Sequence, residues 1–148
     1  MPRLLFLLAI AAAGVGLSIQ AAANARMGGL LAVPTAGALV NFLVGTVALA
    51  AVTFSGLFGR AEVAEAASAP WWAWIGGLLG ATYITLTVIA VPRVGAALTF
   101  AAVIAGQLIG SVLLDSTGWL GVPKMPVSAT RILGVLLLFA GVLLVQRG

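Results

Sequence analysis

Hydrophobic residues run through the chain in long stretches that short polar or glycine- and proline-containing segments separate. Each stretch is continuously apolar, without the alternation expected of a membrane β-strand, and has about the 20 residues that a helix needs to cross a bilayer. The fold predicted from this pattern is an all-α integral membrane protein, with residues 1–148 forming a single transmembrane domain. Its five predicted transmembrane helices lie at about 4–23, 36–58, 71–91, 95–114 and 129–146.

Turn-forming residues set the predicted helix ends. Gly28-Gly29 and Pro34 predict a connection over residues 27–35, and the segment 92–95 predicts a tight break. Ser128 is the predicted N-cap of the last helix, because a serine hydroxyl can accept a hydrogen bond from a free N–H of the first turn.

Three tryptophans, Trp71, Trp72 and Trp74, follow Pro70 at the predicted start of the third helix. Tryptophan is enriched where a helix meets the membrane–water interface. The cluster is therefore interpreted as an interfacial anchor, in preference to three core aromatics.

The composition supports the membrane assignment and excludes other classes. Hydrophobic residues make up 63% of the chain and charged residues 7%, whereas a soluble domain has roughly 25% charged residues. The net charge of +4 comes from scattered single basic residues, so no nucleic-acid partner is expected. The chain has no cysteine and no histidine, which excludes disulfides, thiol chemistry and ordinary zinc sites. We expect no cofactor and no metal.

An alternative exists for the first stretch. Arg3, a leucine-rich run and Ala23-Asn24-Ala25 together resemble a secretory signal peptide with its small-residue cleavage site. The apolar run is long for such a peptide, so the transmembrane interpretation is preferred.

Lysine and arginine do not favour one orientation in the membrane. With five helices, the amino-terminal side carries Arg3, Arg60, Lys124 and Arg131, and the opposite side carries Arg26, Arg93 and Arg147. Because asymmetry of these residues sets orientation, the near balance predicts dual topology, with copies inserting both ways and pairing as antiparallel homodimers. A fixed orientation with a cytoplasmic amino terminus is the alternative. Alternating access commonly uses inverted halves, and this chain shows no internal repeat, so a second copy would supply the inverted half.

Polar side chains inside the predicted helices are the candidate substrate-binding residues, because polar groups are costly in lipid. The candidates are Gln20, Asn24, Asn41, Tyr83 and Gln107. The alternative is that these groups only hold the helices together, and the residues themselves do not decide between the two. The hydroxyls of Thr82, Thr85 and Ser18 are expected to bond back to their own helices.

Small residues predict close helix contacts at two places. Gly76 and Gly80 in the third helix, and Gly106 and Gly110 in the fourth, each form a GxxxG motif. This motif is common in membrane helices, so it says little about function.

Acidic groups are missing from the predicted membrane interior. No Asp, Glu or Lys lies deep in a helix, and Asp115 stands at the end of the fourth. A carboxylate-based proton switch is therefore not visible, and a strongly cationic substrate lacks a counter-charge. An enzyme is not expected, because the chain has no nucleophile–base pair, metal cluster or phosphate loop.

An ordered set of motifs follows along the chain. It consists of Gln20-x-x-x-Asn24, Asn41-Phe42-x-x-Gly45, Trp74-x-Gly76-Gly77-x-x-Gly80-x-x-Tyr83, Pro92-Arg93-x-Gly95, Gln107 and Leu114-Asp115-x-x-Gly118. Together these motifs resemble the YdcZ-like family of the drug/metabolite transporter superfamily. The resemblance implies a five-helix unit in the inner membrane. It also implies a half-transporter completed by a partner, as members occur as dual-topology homodimers, paired genes or fused ten-helix proteins. Superfamily relatives export small metabolites or drugs.

One feature departs from the related small multidrug resistance proteins, which rely on a first-helix glutamate for proton coupling. Here the first helix carries Gln20 and Asn24 and no acid. This difference argues against proton-coupled antiport of cations. The polar residues inside the helices and the family resemblance together predict a small-molecule exporter that works by alternating access. Its expected partners are the lipid bilayer, a second copy and an unidentified small molecule. A small dual-topology channel and a non-transporting assembly subunit are the alternatives.

Overall fold

The computed structural model describes residues 2–147, so the first and last residues of the predicted domain lie outside the described part. The α-helices are α1 (Pro2–Leu30), α2 (Pro34–Phe54), α3 (Trp71–Val94), α4 (Ala96–Thr117) and α5 (Ala129–Arg147). All five are long and apolar enough to cross a membrane, as predicted. Short 3₁₀ turns at Val63–Ser68 and Trp119–Gly121 complete the regular structure of residues 2–147.

The first connection is shorter than predicted, because α1 continues through the segment expected to be a loop. Gly28 and Gly29 are helical, and the turn is confined to residues 31–33, where Ala32 adopts a left-handed φ of 58°. Pro34 is the first residue of α2, the position where a missing N–H costs nothing. Arg3 and Arg26 are then about 35 Å apart along α1, which places them at the two boundaries of a hydrocarbon layer about 30 Å thick.

Glycines with positive φ follow the ends of three helices. Gly95 lies in the predicted break at 92–95, and Gly118 lies between the predicted fourth and fifth helices. α2 stops at Phe54 instead of near 58, ahead of Gly56 (φ 78°). Pro92 lies inside α3, and the break after it occurs at Gly95 (φ 85°). α4 runs past Leu114 to Thr117, and the left-handed Gly118 closes it.

The chain divides into two compact units, one through Arg93 and one from Val94. In the first, α1 and α2 pack as an antiparallel hairpin, and α3 packs on α2 through a small buried cluster of Ala38, Ile84 and Val88. In the second, α4 packs against α5. The predicted N-cap is confirmed there, because the Ser128 hydroxyl accepts a hydrogen bond from the Arg131 N–H at 3.3 Å.

Most of the apolar surface of both units is exposed, as expected of helices whose solvent is lipid. Trp71 and Trp74, at the start of α3, are 77% and 64% exposed. Trp71 and Trp74 are therefore not part of the core of the described chain, and their exposure agrees with the interfacial anchor.

Candidate functional site

Two of the predicted site residues contact each other. The Asn41 Nδ2 donates a hydrogen bond to the Asn24 Oδ1 at 2.6 Å, joining α1 to α2. Asn24 is completely buried and Asn41 is half-buried. The pair lies about 10 Å along the helices from the α1–α2 turn. It is therefore nearer the side of the membrane that carries this turn than to the opposite side.

A close crossing of the two helices holds the amides together. A Cβ at Gly37 would collide with the Asn24 carbonyl oxygen and the Gly28 nitrogen, and would stand 2.9 Å from the Gly28 Cα. A Cβ at Gly28 would stand 2.6 Å from the Pro34 carbonyl oxygen. Glycine is therefore required at both positions for the backbones to approach.

The amide pair is left with an unused donor. The Asn24 Nδ2 is buried and has no hydrogen-bond partner among residues 2–147. An unpaired buried amide costs about 1–3 kcal/mol, so an oxygen from outside the described residues that accepts from this nitrogen would stabilise the site. A carbonyl, hydroxyl or ether oxygen has that chemistry.

Tyr83 is close to α2, although it is not bonded to the amides. Its half-buried ring packs against the Ala38, Ile84 and Val88 cluster. Ala38 precedes Asn41 by one helical turn, so Tyr83 and the amide pair belong to neighbouring parts of the first unit.

Gln20 and Gln107 are exposed, and neither side chain hydrogen-bonds within the described part of the chain. Gln20 is in the first unit and Gln107 in the second. The joint role of all five candidates in a substrate site therefore stays a prediction.

The hydroxyl groups divide into two kinds. Thr82 bonds back to the Leu78 carbonyl at 2.9 Å, as predicted. The prediction is wrong for Thr85 and Ser18, whose hydroxyls make no hydrogen bond within residues 2–147 although both residues are half-buried. Thr85 borders an open, mainly apolar cavity of about 560 Å³ between α2 and α3.

The predicted close contacts at the GxxxG motifs are also not found among residues 2–147. A Cβ at Gly76, Gly80, Gly106 or Gly110 would meet nothing within 4 Å in that part of the chain. These four positions therefore differ from Gly28 and Gly37, where two helices approach closely.

An ion pair that the sequence did not reveal joins α4 to α5. Arg131 Nη2 lies 2.6 Å from Asp115 Oδ2, and the Asp115 carbonyl accepts a hydrogen bond from the Met125 N–H at 2.7 Å. Arg131 Nη1 is buried without a partner among residues 2–147. The pair fixes the loop between the two helices against the end of α4.

The sequence contains a pattern that predicts the α1–α2 contact. Asn24-x-x-x-Gly28 and Gly37-x-x-x-Asn41 are mirror images about the turn at 31–33. In an antiparallel hairpin, such symmetry pairs asparagine with asparagine and glycine with glycine.

Comparison with known proteins agrees with this architecture. Residues 4–144 match the family model described as "Putative inner membrane exporter, YdcZ". The inner membrane protein YdcZ of Escherichia coli (strain K12) is 35% identical over 138 residues, which cover 92% of this chain and 91% of that protein. No solved structure matches the chain. Together with the five apolar helices, these matches show that the chain is a multi-pass inner membrane protein that belongs to the YdcZ family of exporters.

Proposed function

We propose that this protein exports an uncharged small molecule by alternating access, as an antiparallel homodimer. Family membership supports a membrane exporter in general and favours a transporter over an enzyme. The proposed substrate-binding residues are Gln20, Asn24, Asn41, Tyr83 and Gln107.

The observation that carries the proposal is the buried donor on Asn24. The Asn24–Asn41 hydrogen bond orients the Asn24 side chain and leaves its Nδ2 without a partner. A purely structural amide pair gains nothing from an unpaired N–H in a bundle of apolar helices. A site that binds and releases a substrate needs such a donor, because the hydrogen bond must be available when the substrate arrives.

The exposed amides support the homodimer. Gln20 and Gln107 lie on helices that span the membrane and have no hydrogen-bond partner within the described residues. Facing lipid, each would be costly, so a second copy or a substrate must supply the missing partners. The GxxxG glycines of α3 and α4, which have open space around them in the described residues, offer surfaces for helices of that copy.

The charges agree with this arrangement. The predicted amino-terminal side carries Arg3, Arg60, Lys124 and Arg131, and the opposite side carries three arginines. The pairing of Arg131 with Asp115 changes this balance little, because acidic residues contribute little to orientation. Nearly equal numbers on the two sides favour insertion of the chain in both orientations.

Flux into proteoliposomes tests the substrate site. The Asn24→Ala and Gln107→Ala variants are reconstituted and screened against a panel of uncharged metabolites, and we expect both to lose transport while still cross-linking as dimers. Ser111→Ala is the matched control, because Ser111 lies one turn from Gln107 and its hydroxyl only bonds back to the Leu108 carbonyl. Unchanged flux in both site variants would remove these residues from the site. Electrical currents across a bilayer that far exceed the turnover rate of a carrier would show that the protein is a channel and not an exporter.

A further inference from the structure

The cavity between α2 and α3 has the size of a small-molecule site. It has a volume of about 560 Å³ and is an open groove, not an enclosed chamber. Small-molecule pockets typically measure about 300–1,000 Å³. Its walls are mainly apolar, with Leu39, Phe42, Ala81 and Ile84 among the lining residues. The predicted substrate-site residues do not line it, although Tyr83 packs against the cluster that contains two of its lining residues, Ala38 and Ile84.

Two hydroxyls at the cavity are uncommitted. Thr35 and Thr85 line it, and neither hydroxyl hydrogen-bonds within residues 2–147. Three other threonines of α2 and α3 behave differently, because their hydroxyls bond back to carbonyls of the same helix. These bonds are Thr46 to Phe42 at 2.8 Å, Thr82 to Leu78 at 2.9 Å and Thr87 to Ile84 at 3.0 Å. Of the three threonines of these helices whose hydroxyls make no hydrogen bond within residues 2–147, Thr35 and Thr85 border the cavity, and Thr53 is exposed near the end of α2.

The lining residues restrict the occupant. None of them is charged, so an ion entering the cavity would lose hydration without gaining a counter-charge. A plain hydrocarbon chain would fill the volume but would leave both hydroxyls unpaired. A mainly apolar molecule with one hydroxyl or carbonyl group satisfies both the walls and the threonines.

We propose that this cavity binds an uncharged, amphipathic small molecule whose hydroxyl or carbonyl group pairs with Thr85 and Thr35. Binding here does not require that the protein export the molecule. The site is open to its surroundings and lies between helices that span the membrane. Its ligand is therefore one that partitions into lipid.

Photolabelling of the reconstituted full-length protein tests the site. The probe is octanol carrying a diazirine, with unlabelled octanol as competitor and peptide mapping as the readout. We expect saturable labelling on the cavity segments of α2 and α3. Thr85→Val should raise the half-maximal competing concentration of octanol about two- to tenfold, the effect of one hydrogen bond. Thr82→Val is the matched control and should change nothing, since its hydroxyl is engaged with the Leu78 carbonyl. Ala81→Phe, which fills the cavity, should abolish cavity labelling.

Three outcomes overturn the inference. Even, unsaturable labelling along all exposed helix faces would show a lipid-facing surface only. Equal competition by octane and octanol, with no effect of Thr85→Val, would assign the cavity to a lipid chain. Labelling of detergent-solubilised monomers but not of dimers would assign it to a helix of the second copy. Flux measured on the same liposomes separates the two proposals, since lost labelling with intact flux removes the cavity site and leaves the exporter.

Discussion

The crossing of α1 and α2 gives the sharpest test of the structure, through the substitution Gly37→Ala. The added Cβ would stand 2.9 Å from the Gly28 Cα and closer still to the Asn24 carbonyl oxygen. Carbon atoms in good contact are about 3.5–4.0 Å apart, so the helices must separate by roughly 0.6–1 Å. The obstructing atoms belong to the backbone of α1, which cannot rotate out of the way as a side chain can.

The expected cost follows from that separation. Overpacking of this kind destabilises a protein by about 1–3 kcal/mol. A shift of about 1 Å would also stretch the 2.6 Å bond between Asn24 and Asn41 beyond hydrogen-bonding range. Gly37→Ala should therefore lower stability and uncouple the two amides.

Unfolding in mixed detergent and sodium dodecyl sulfate micelles, followed by circular dichroism, measures both effects. Gly45→Ala is the matched control on the same helix, because a Cβ there meets nothing within 4 Å and the better helix propensity of alanine should leave stability equal or higher. In a double-mutant cycle, Asn41→Leu should cost less in the Gly37→Ala background than in the native protein. Native or higher stability of Gly37→Ala would show that the helices do not cross closely at this point.

Three further perturbations have defined outcomes. Asp115→Asn should loosen the α4–α5 hairpin, because it leaves the partly buried guanidinium of Arg131 without its charge partner. Exchanging the two residues should restore part of the melting temperature. If the single substitution and the exchange melt alike, the pair does not hold the hairpin. Gly95→Ala should destabilise the protein by about 1–3 kcal/mol, because alanine is strained at φ 85°. Gly110→Ala is the control and should not destabilise, because Gly110 lies in regular helix with open space around it. Equal unfolding curves for the two variants would argue against the positive φ at Gly95. With dual topology, tags on the termini of the native protein should be found on both sides of the membrane. Two lysines added within residues 60–70 should fix a single orientation. A single orientation in the native protein would contradict dual topology.

The sequence alone determined the fold class and the number of helices. In a bilayer, every backbone polar group must be bonded within the segment, so a continuous apolar run of about 20 residues has few alternatives to a helix. The exposure of the tryptophans at the start of α3 and the Ser128 cap were also predictable, because each depends on local side-chain chemistry.

Helix ends were predicted less well, because the same residues serve two purposes. Gly28 and Gly29 were interpreted as turn residues, yet they lie inside α1, and Gly28 is there because α2 passes against it. Glycine in a sequence marks either a positive φ or a close approach. Only the position of the neighbouring helix distinguishes the two.

The candidate site shows the same division. Polarity within an apolar helix identified Asn24 and Asn41 as unusual, but their contact, and the donor left over on Asn24, depend on how α1 and α2 cross. Likewise, the sequence gives no means of telling Thr85 from Thr82, because each stands in a similar apolar stretch. Their difference arises from the backbone carbonyl that one hydroxyl reaches and the cavity that the other borders, and these are properties of packing in three dimensions.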